Sequence, residues 1–367
     1  MKDYLLSLIW PVLAGVLAAV LILDQWILHE PLLNKGNKPP SSYHEAVARG
    51  TPSVVNIYTA KLVPQRRTPR LNDPLLRRFL APAQGNQRLE RSLGSGVIMT
   101  AAGHIITNNH VIADADAIQV ALHDGRTANA VVIGTDPATD LAVLKIDLPA
   151  LTPAEAADSD RINVGDVVLA IGNPYGFGHS VSQGIISGLG RYGLQLSAYE
   201  DYIQTDASIH LGNSGGALID TEGRLVGINT LIYTTTSEGL QSNGIGINLA
   251  TPSNLATFVM EDLINYGSVV RGWLGVSVEL TASRDASGVP RQVLVVSGLA
   301  EGGPAARAGM QLGDSIVSIN TEAVTDGRVA MHYIARLRPG EVVDITVERN
   351  NRPIDLQAIV GTRENAD

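Results

Sequence analysis

The sequence predicts a mainly β protein: an antiparallel barrel or sandwich followed by a smaller second domain, behind an apolar N-terminal segment. Three observations carry this reading. Short β-branched runs recur with Gly, Asn and Asp between them and without alternating helices, the pattern of antiparallel rather than βαβ pairing. Glycine is abundant, 37 residues against 3 phenylalanines, as many turns and close backbone approaches require. The length of 367 residues exceeds one ordinary core and fits two or three domains. The net charge of -9, from 27 Lys and Arg against 36 Asp and Glu, argues against a nucleic-acid partner, and no basic stripe with interleaved aromatics occurs. Absence of cysteine rules out disulfides, thiolate catalysis and Cys-based zinc sites. No metal or other cofactor is expected.

Taken in order, residues 5–23 form an uncharged run long enough to span a bilayer as a helix, even with Pro11 inside it. A cleavable signal peptide is the competing reading, but its apolar region is usually shorter and ends in a small-x-small site. Here the run ends Leu21-Ile22-Leu23-Asp24-Gln25-Trp26, with a Trp at interface depth, so an uncleaved anchor is expected with residues 1–4 in the cytoplasm. Residues 24–42, rich in Pro, Gly and Ser toward their end, read as a tether. The first domain is expected over 43–267. Its strands are predicted at 53–58, 93–99, 104–107, 118–122, 130–133, 141–146, 167–171, 184–188, 217–219 and 225–231, and residues 61–92 read as a long polar loop. A helix is predicted with Thr251 as its N-cap and Pro252 in its first turn, with Leu255, Phe258, Val259, Leu263 and Ile264 on one face and Gly267 as its stop. A second domain is expected over 271–362, with strands at 294–297, 315–320 and 342–348 and an amphipathic stretch at 328–337.

The chemistry centres on Asp206-Ala207-Ser208-Ile209-His210-Leu211-Gly212-Asn213-Ser214-Gly215-Gly216. A serine among glycines can expose its hydroxyl on a tight turn while nearby backbone N–H groups converge on an oxyanion. Gly212 and Ser214 are the expected donors, within an oxyanion loop of Gly212, Asn213 and Ser214. Standing alone, such a segment is an ordinary flexible turn. It needs a base and an orienting acid. Of eight histidines, His110 ends an apolar strand ahead of a tight turn, where a side chain projects into a cleft, whereas His104 within the strand reads as structural. Asp140 opens the apolar stretch Leu141-Ala142-Val143-Leu144, as either a turn residue or an orienter. The order His110, Asp140, Ser214 is that of chymotrypsin-type enzymes.

Thr107-Asn108-Asn109-His110-Val111, Asp140-Leu141-Ala142-Val143-Leu144-Lys145 and Gly212-Asn213-Ser214-Gly215-Gly216 together resemble the HtrA (Deg) serine proteases. Gly302-Gly303-Pro304-Ala305-Ala306-Arg307-Ala308-Gly309 and Leu312-Gly313-Asp314-Ser315-Ile316-Val317-Ser318-Ile319-Asn320 resemble the core of a PDZ domain. With one PDZ domain and an anchor, the likeness is to the DegS/AlgW type.

That resemblance implies a chymotrypsin-like double β-barrel, a homotrimer, and a single-pass place in the bacterial inner membrane with both domains in the periplasm. It implies cleavage of an anti-sigma factor when C-terminal peptides of misfolded outer-membrane proteins occupy the PDZ domain. Trp273, Leu274, Gly275 and Val276 match the carboxylate-binding loop, and Arg191 with Tyr175 the activation loop. Ser208 falls at the base of the specificity pocket, with Ile228 and Leu231 as its walls, which implies small or medium aliphatic residues before the cleaved bond. His210 departs from the asparagine usual in the family, and the 73–79 segment is similar to the long loop of the general quality-control Deg enzymes. A general protease and chaperone, or a silent PDZ scaffold, therefore stand as alternatives.

Overall fold

The computed structural model describes residues 15–19, 42–64, 87–173, 178–194, 196–210, 212–233, 247–284, 290–320, 322–324 and 326–362. Of the apolar run at 5–23, residues 15–19 are described and are helical. Among the described residues no helix is long and apolar enough to cross a membrane. Most of the expected anchor and tether lies outside the described residues, as do Tyr175 and the 73–79 segment.

Strands β1 (Val54–Pro64), β2 (Gln87–Ile98), β3 (His104–Asn108), β4 (Ala117–Ala121), β5 (Thr127–Asn129), β6 (Val131–Asp136) and β7 (Leu141–Lys145) form one antiparallel sheet. Their order is β5-β4-β1-β2-β3-β7-β6. The chain itself joins the two edges at Ala130, whose N–H donates to the Ile118 carbonyl (2.9 Å), so the sheet curls round on itself. Ile105 and Leu144 fill its interior with Val55, Ile57, Ile98 and Val120. One residue along, Ile106 and Val143 are equally buried, because the other face of these strands is covered too. Each such fully buried side chain contributes about 1.5–3 kcal/mol.

β8 (Val167–Gly172), β9 (Ser180–Arg191), β10 (Tyr202–Thr205), β11 (Ala217–Ile219), β12 (Leu225–Tyr233) and β13 (Ile247–Pro252) close into a barrel in the order β10-β13-β12-β11-β8-β9. The helix Ser253–Tyr266 follows and packs on β6, β7 and β12. Gly267 ends it in the left-handed region at φ 73°, donating to the Leu263 carbonyl at 3.1 Å. Its start differs from the sequence reading. Thr251 lies buried within β13, with its hydroxyl 3.1 Å from that of Thr230, and Pro252, the last residue of the strand, takes the cap position.

β14 (Gly272–Trp273), β15 (Val276–Arg284), β16 (Pro290–Leu299), β17 (Ser315–Ile319), β18 (Glu322–Ala323), β19 (Val342–Arg349), β20 (Arg352–Ile359) and β21 (Gly361–Thr362) make the C-terminal part. The run β15-β16-β17-β19-β20 is one sheet, with β18 on β17 and β14 paired to β21. The helix Gly327–Arg336 lays Ala330 and Ile334, four residues apart, on the core of Leu294, Val296, Ile316 and Val343.

Strand formation reaches beyond the sequence reading at one place. β1 and β2 pair from Val54 with Val97 out to Pro64 with Gln87, so 61–64 and 87–92 are ladder rather than loop. Their charged and polar residues conceal a ribbon that runs past the hydrophobic core.

Candidate active site

The imidazole of His110 stands at the corner where β3 turns into the short helix Asn109–Ile112. Its Nδ1 lies 2.6 Å from Asp140 Oδ2, and its backbone N–H donates to Asp140 Oδ1 at 2.9 Å. The carboxylate therefore fixes both the ring and the backbone that carries it. Asp140 holds φ at 56°, a left-handed conformation that costs most L residues about 1–2 kcal/mol and that Asp and Asn tolerate best. Its carbonyl accepts from the Asn109 N–H (2.9 Å) and from Asn108 Nδ2 (3.1 Å), which hold that conformation. The ring is exposed, whereas the carboxylate is only 16% exposed, as an orienting acid requires.

Ser214 lies in the other barrel, just before β11. The turn leading to it closes by the Asn213 N–H donating to the His210 carbonyl at 2.9 Å. Gly212 sits within that turn at φ 97°, a left-handed value that glycine adopts at no steric cost. Among the described residues, neither the Gly212 nor the Ser214 N–H donates to a backbone acceptor. These two donors are available to an oxyanion, whereas Asn213, the third residue of the expected loop, has its N–H spent inside the turn. Among the described residues no hydrogen bond joins the Ser214 hydroxyl to the imidazole; ligand-free sites often hold that bond long and tighten it around substrate.

The remaining expected residues scatter. Ser208 is exposed and its carbonyl accepts from Ser182 Oγ at 2.7 Å. Ile228 is 0% exposed, so it is fully packed and offers no surface to a substrate side chain. The side chain of Leu231 lies outside the described residues. Arg191 folds back on its own barrel: Nε donates to Gln204 Oε1 at 2.8 Å and the guanidinium lies over Gly188. Its neighbour makes the outward contact instead, since Tyr192 Oη donates to the Asp326 carboxylate in the C-terminal part.

Four residues that sequence reasoning missed organise this region. Glu200, buried, accepts from the backbone N–H of Leu194 (2.8 Å) and Ser197 (3.4 Å), shaping the loop between β9 and β10. Arg271 pairs with buried Asp136 and stacks over Tyr199, its guanidinium carbon 4.4 Å from the ring centroid. Arg338 reaches back to the fully buried Asp262, Nη1 to Oδ2 at 2.8 Å. His332 meets the edge of the Tyr199 ring, with centroids 6.2 Å apart. Burial holds its imidazole below the usual histidine range, with Arg271 acting the same way and Asp201 opposing.

In the C-terminal part, Trp273, Leu274, Gly275 and Val276 line a cavity of about 210 Å³ together with Ile316 and Ile334. Gly275 holds φ at 75° and its carbonyl accepts from the Ala300 N–H at 2.8 Å. Tyr199, from the barrel side, lines the same cavity.

Residues 94–228 match the family model of the trypsin-like peptidase domain, and 272–360 that of the PDZ domain. Serine endoprotease DegS of Escherichia coli strain K12 is 42% identical over 337 residues, spanning 91% of this chain and 89% of that protein. A probable periplasmic serine endoprotease, DegP-like, of Pseudomonas putida is 37% identical over 371 residues, spanning 95% of this chain and 75% of that protein. The solved structure of the HtrA-type protease AlgW with a decapeptide is 47% identical, spans 88% of this chain and 99% of its own, and superposes with a TM-score of 0.68. By its trypsin-like barrels, its PDZ domain and these relatives, the chain belongs to the HtrA family of serine endoproteases.

Proposed function

We propose that this chain is a peptide-gated serine endopeptidase in which Ser214 is the nucleophile, His110 the general base and Asp140 the residue that orients the base. The observation that carries it is the double hold of Asp140 on His110, at Nδ1 and at the backbone N–H, opposite a serine turn with two unspent amides. Held this way, the imidazole keeps its proton on Nδ1 and presents Nε2 as acceptor. That nitrogen takes the Ser214 proton as the oxygen attacks the peptide carbonyl, and later returns a proton to the leaving amine. The oxyanion is met by the N–H groups of Gly212 and Ser214. One such donor is worth about 2.7–4 kcal/mol of transition-state stabilisation.

The PDZ cavity takes a free C-terminus, with Leu274, Gly275 and Val276 supplying amides and the helix Gly327–Arg336 the opposite wall. Support comes from the peptide present in the AlgW structure. Contacts from Tyr192 to Asp326, Arg271 to Asp136 and Arg338 to Asp262 tie the PDZ part to the barrels, which favours gating over constant activity. The domain limits remain 43–267 and 271–362. The full reading is a homotrimer anchored by residues 5–23 in a bacterial inner membrane, with both domains in the periplasm. There C-terminal peptides of misfolded outer-membrane proteins release it to cut an anti-sigma factor.

The test is cleavage of an anti-sigma periplasmic domain by the full chain, with and without a hydrophobic C-terminal peptide. Turnover that rises with peptide and vanishes in Ser214→Ala is expected. Turnover that survives Ser214→Ala sinks the catalytic assignment, and equal rates with and without peptide sink the gating in favour of a general quality-control protease. Peptide binding with no turnover would identify a scaffold.

A further inference from the structure

We infer that Ser95, a residue of the first barrel, is the positioning residue that aligns both oxyanion donors in the second; this rests on the serine-endopeptidase reading above. Ser95 is completely buried in β2, opposite Asn56 of β1. Its N–H donates to the Ser214 carbonyl at 2.9 Å and its hydroxyl donates to the Gly212 carbonyl at 2.7 Å. It thus grips the carbonyl of each of the two residues whose amides are left for the oxyanion.

The consequence follows from peptide planarity. The 212–213 peptide is held at both ends, its oxygen by Ser95 Oγ and its N–H by the His210 carbonyl at 2.9 Å. The 214–215 peptide is held likewise, its oxygen by the Ser95 N–H and its N–H by the Asn229 carbonyl at 2.7 Å. Between them the Asn213 carbonyl accepts from the Gly216 N–H at 2.9 Å, which fixes the plane carrying the Ser214 amide. With those planes set, the torsions at Gly212, whose φ is 97°, decide where the Gly212 N–H points relative to them. Release of the 212–213 oxygen lets that plane turn and moves the amide off the oxyanion.

Ser95 is itself braced from two sides. Its hydroxyl accepts from the Asn173 N–H at 3.0 Å at the end of β8, and its carbonyl accepts from Thr107 Oγ1 at 2.7 Å in β3, three residues before His110. One residue therefore references the oxyanion turn to the strand that carries the base. A glycine at 215 is required for the approach, since a Cβ there would fall 2.1 Å from the Ser95 carbonyl oxygen.

Ser95→Ala keeps the backbone bond to Ser214 and removes only the hydroxyl. Loss of a whole oxyanion donor costs about 10²–10³ in kcat, so misalignment of one is expected to lower kcat about 10- to 100-fold with KM changed less than about 2-fold. The assay uses the full chain with saturating hydrophobic C-terminal peptide and a quenched-fluorescence substrate bearing Val before the cleaved bond. In parallel, a peptide boronic acid, which forms a tetrahedral adduct on a catalytic serine, is titrated. Its affinity is expected to fall in step with kcat. A merely structural role predicts fewer titratable sites of unchanged boronate affinity, and that result overturns the proposal. So does a folded Ser95→Ala variant whose kcat and boronate affinity stay within about 2-fold of wild type. Should that variant fail to fold, Ser95→Cys, close in volume and a weaker donor, carries the same comparison with a smaller expected loss. Wild-type turnover that persists in Ser214→Ala would instead remove the underlying catalytic reading and is distinguished by that control.

Discussion

Asp140→Asn separates orientation from charge at the proposed base, and its outcome can be worked from two distances. Asp140 Oδ1 accepts from the His110 backbone N–H at 2.9 Å while Oδ2 faces Nδ1 at 2.6 Å. Asparagine has one acceptor and one donor for these two positions. With its oxygen on the backbone N–H, the NH₂ faces Nδ1, which must then be unprotonated, and the ring proton moves to Nε2. The reverse placement sets two N–H donors head to head at a half-buried site and loses about 1–3 kcal/mol. The first arrangement wins, and it leaves Nε2 unable to accept the Ser214 proton. The expected fall in kcat is about 10⁴, or about 5.4 kcal/mol. Asparagine tolerates the left-handed backbone at this position, so Tm should move by no more than about 4 °C. Steady-state kinetics with saturating activating peptide, paired with a melting curve, make the measurement. A folded variant that keeps more than about a tenth of wild-type kcat would refute the claim that Asp140 sets the tautomer.

Two further outcomes follow from the contacts around the PDZ part. Arg271→Ala removes the partner of buried Asp136 and the stack on Tyr199; if docking is worth about 1–2 kcal/mol, peptide-free turnover rises about 5- to 30-fold while the peptide-saturated rate holds, as initial rates would report. Burial pushes the Asp314 carboxyl up, but Arg349 (Nε to Oδ1 at 2.7 Å) and the Gln311 N–H outweigh it and leave it below the usual carboxylate range. A depressed folded value means the stability it contributes is complete above the unfolded value of about 3.9 and is lost as pH falls through the folded one. Asp314→Asn should cost about 1–3 kcal/mol at pH 7 and flatten the loss of stability below about pH 4, measured by calorimetry across pH.

The parts of this protein set by local chemistry were readable in its sequence, and the parts set by pairing across the chain were not. β7, with four consecutive buried apolar residues, and the helix ending at Gly267 announce themselves through composition and periodicity. β10, reading Tyr-Ile-Gln-Thr, carries strand formers but is only 4 residues long, and β13, reading Ile-Asn-Leu-Ala-Thr-Pro, mixes them with Asn, Ala and Pro, so both stand out only once neighbouring strands close a barrel around them. His110 and Asp140 were legible because a polar residue at the end of an apolar strand has few reasons to be there. Ile228 misled for the converse reason: its spacing fits a pocket wall, but its side chain is wholly covered by packing. Ser95 falls in a predicted strand, but nothing in a serine between two glycines marks it as the partner of Gly212 and Ser214, which arrive from more than a hundred residues away.

The turn that carries Ser214 rests on bare backbone, and this limits where such an enzyme can vary. A Cβ at 172 would lie 2.7 Å from the Asn213 Cα and one at 216 would lie 2.3 Å from the Ile171 oxygen, both within the second barrel, while one at 215 would lie 2.1 Å from the Ser95 oxygen of the first. Any side chain there would lift the turn from its supports by about an ångström, and a displacement of that size at reacting atoms costs on the order of 10²-fold in rate. The turn is thus closed to tinkering from within. Changes in what is cut, or when, must enter from the rim, through exposed positions such as Ser208 and through the loops that Glu200 and Tyr192 shape.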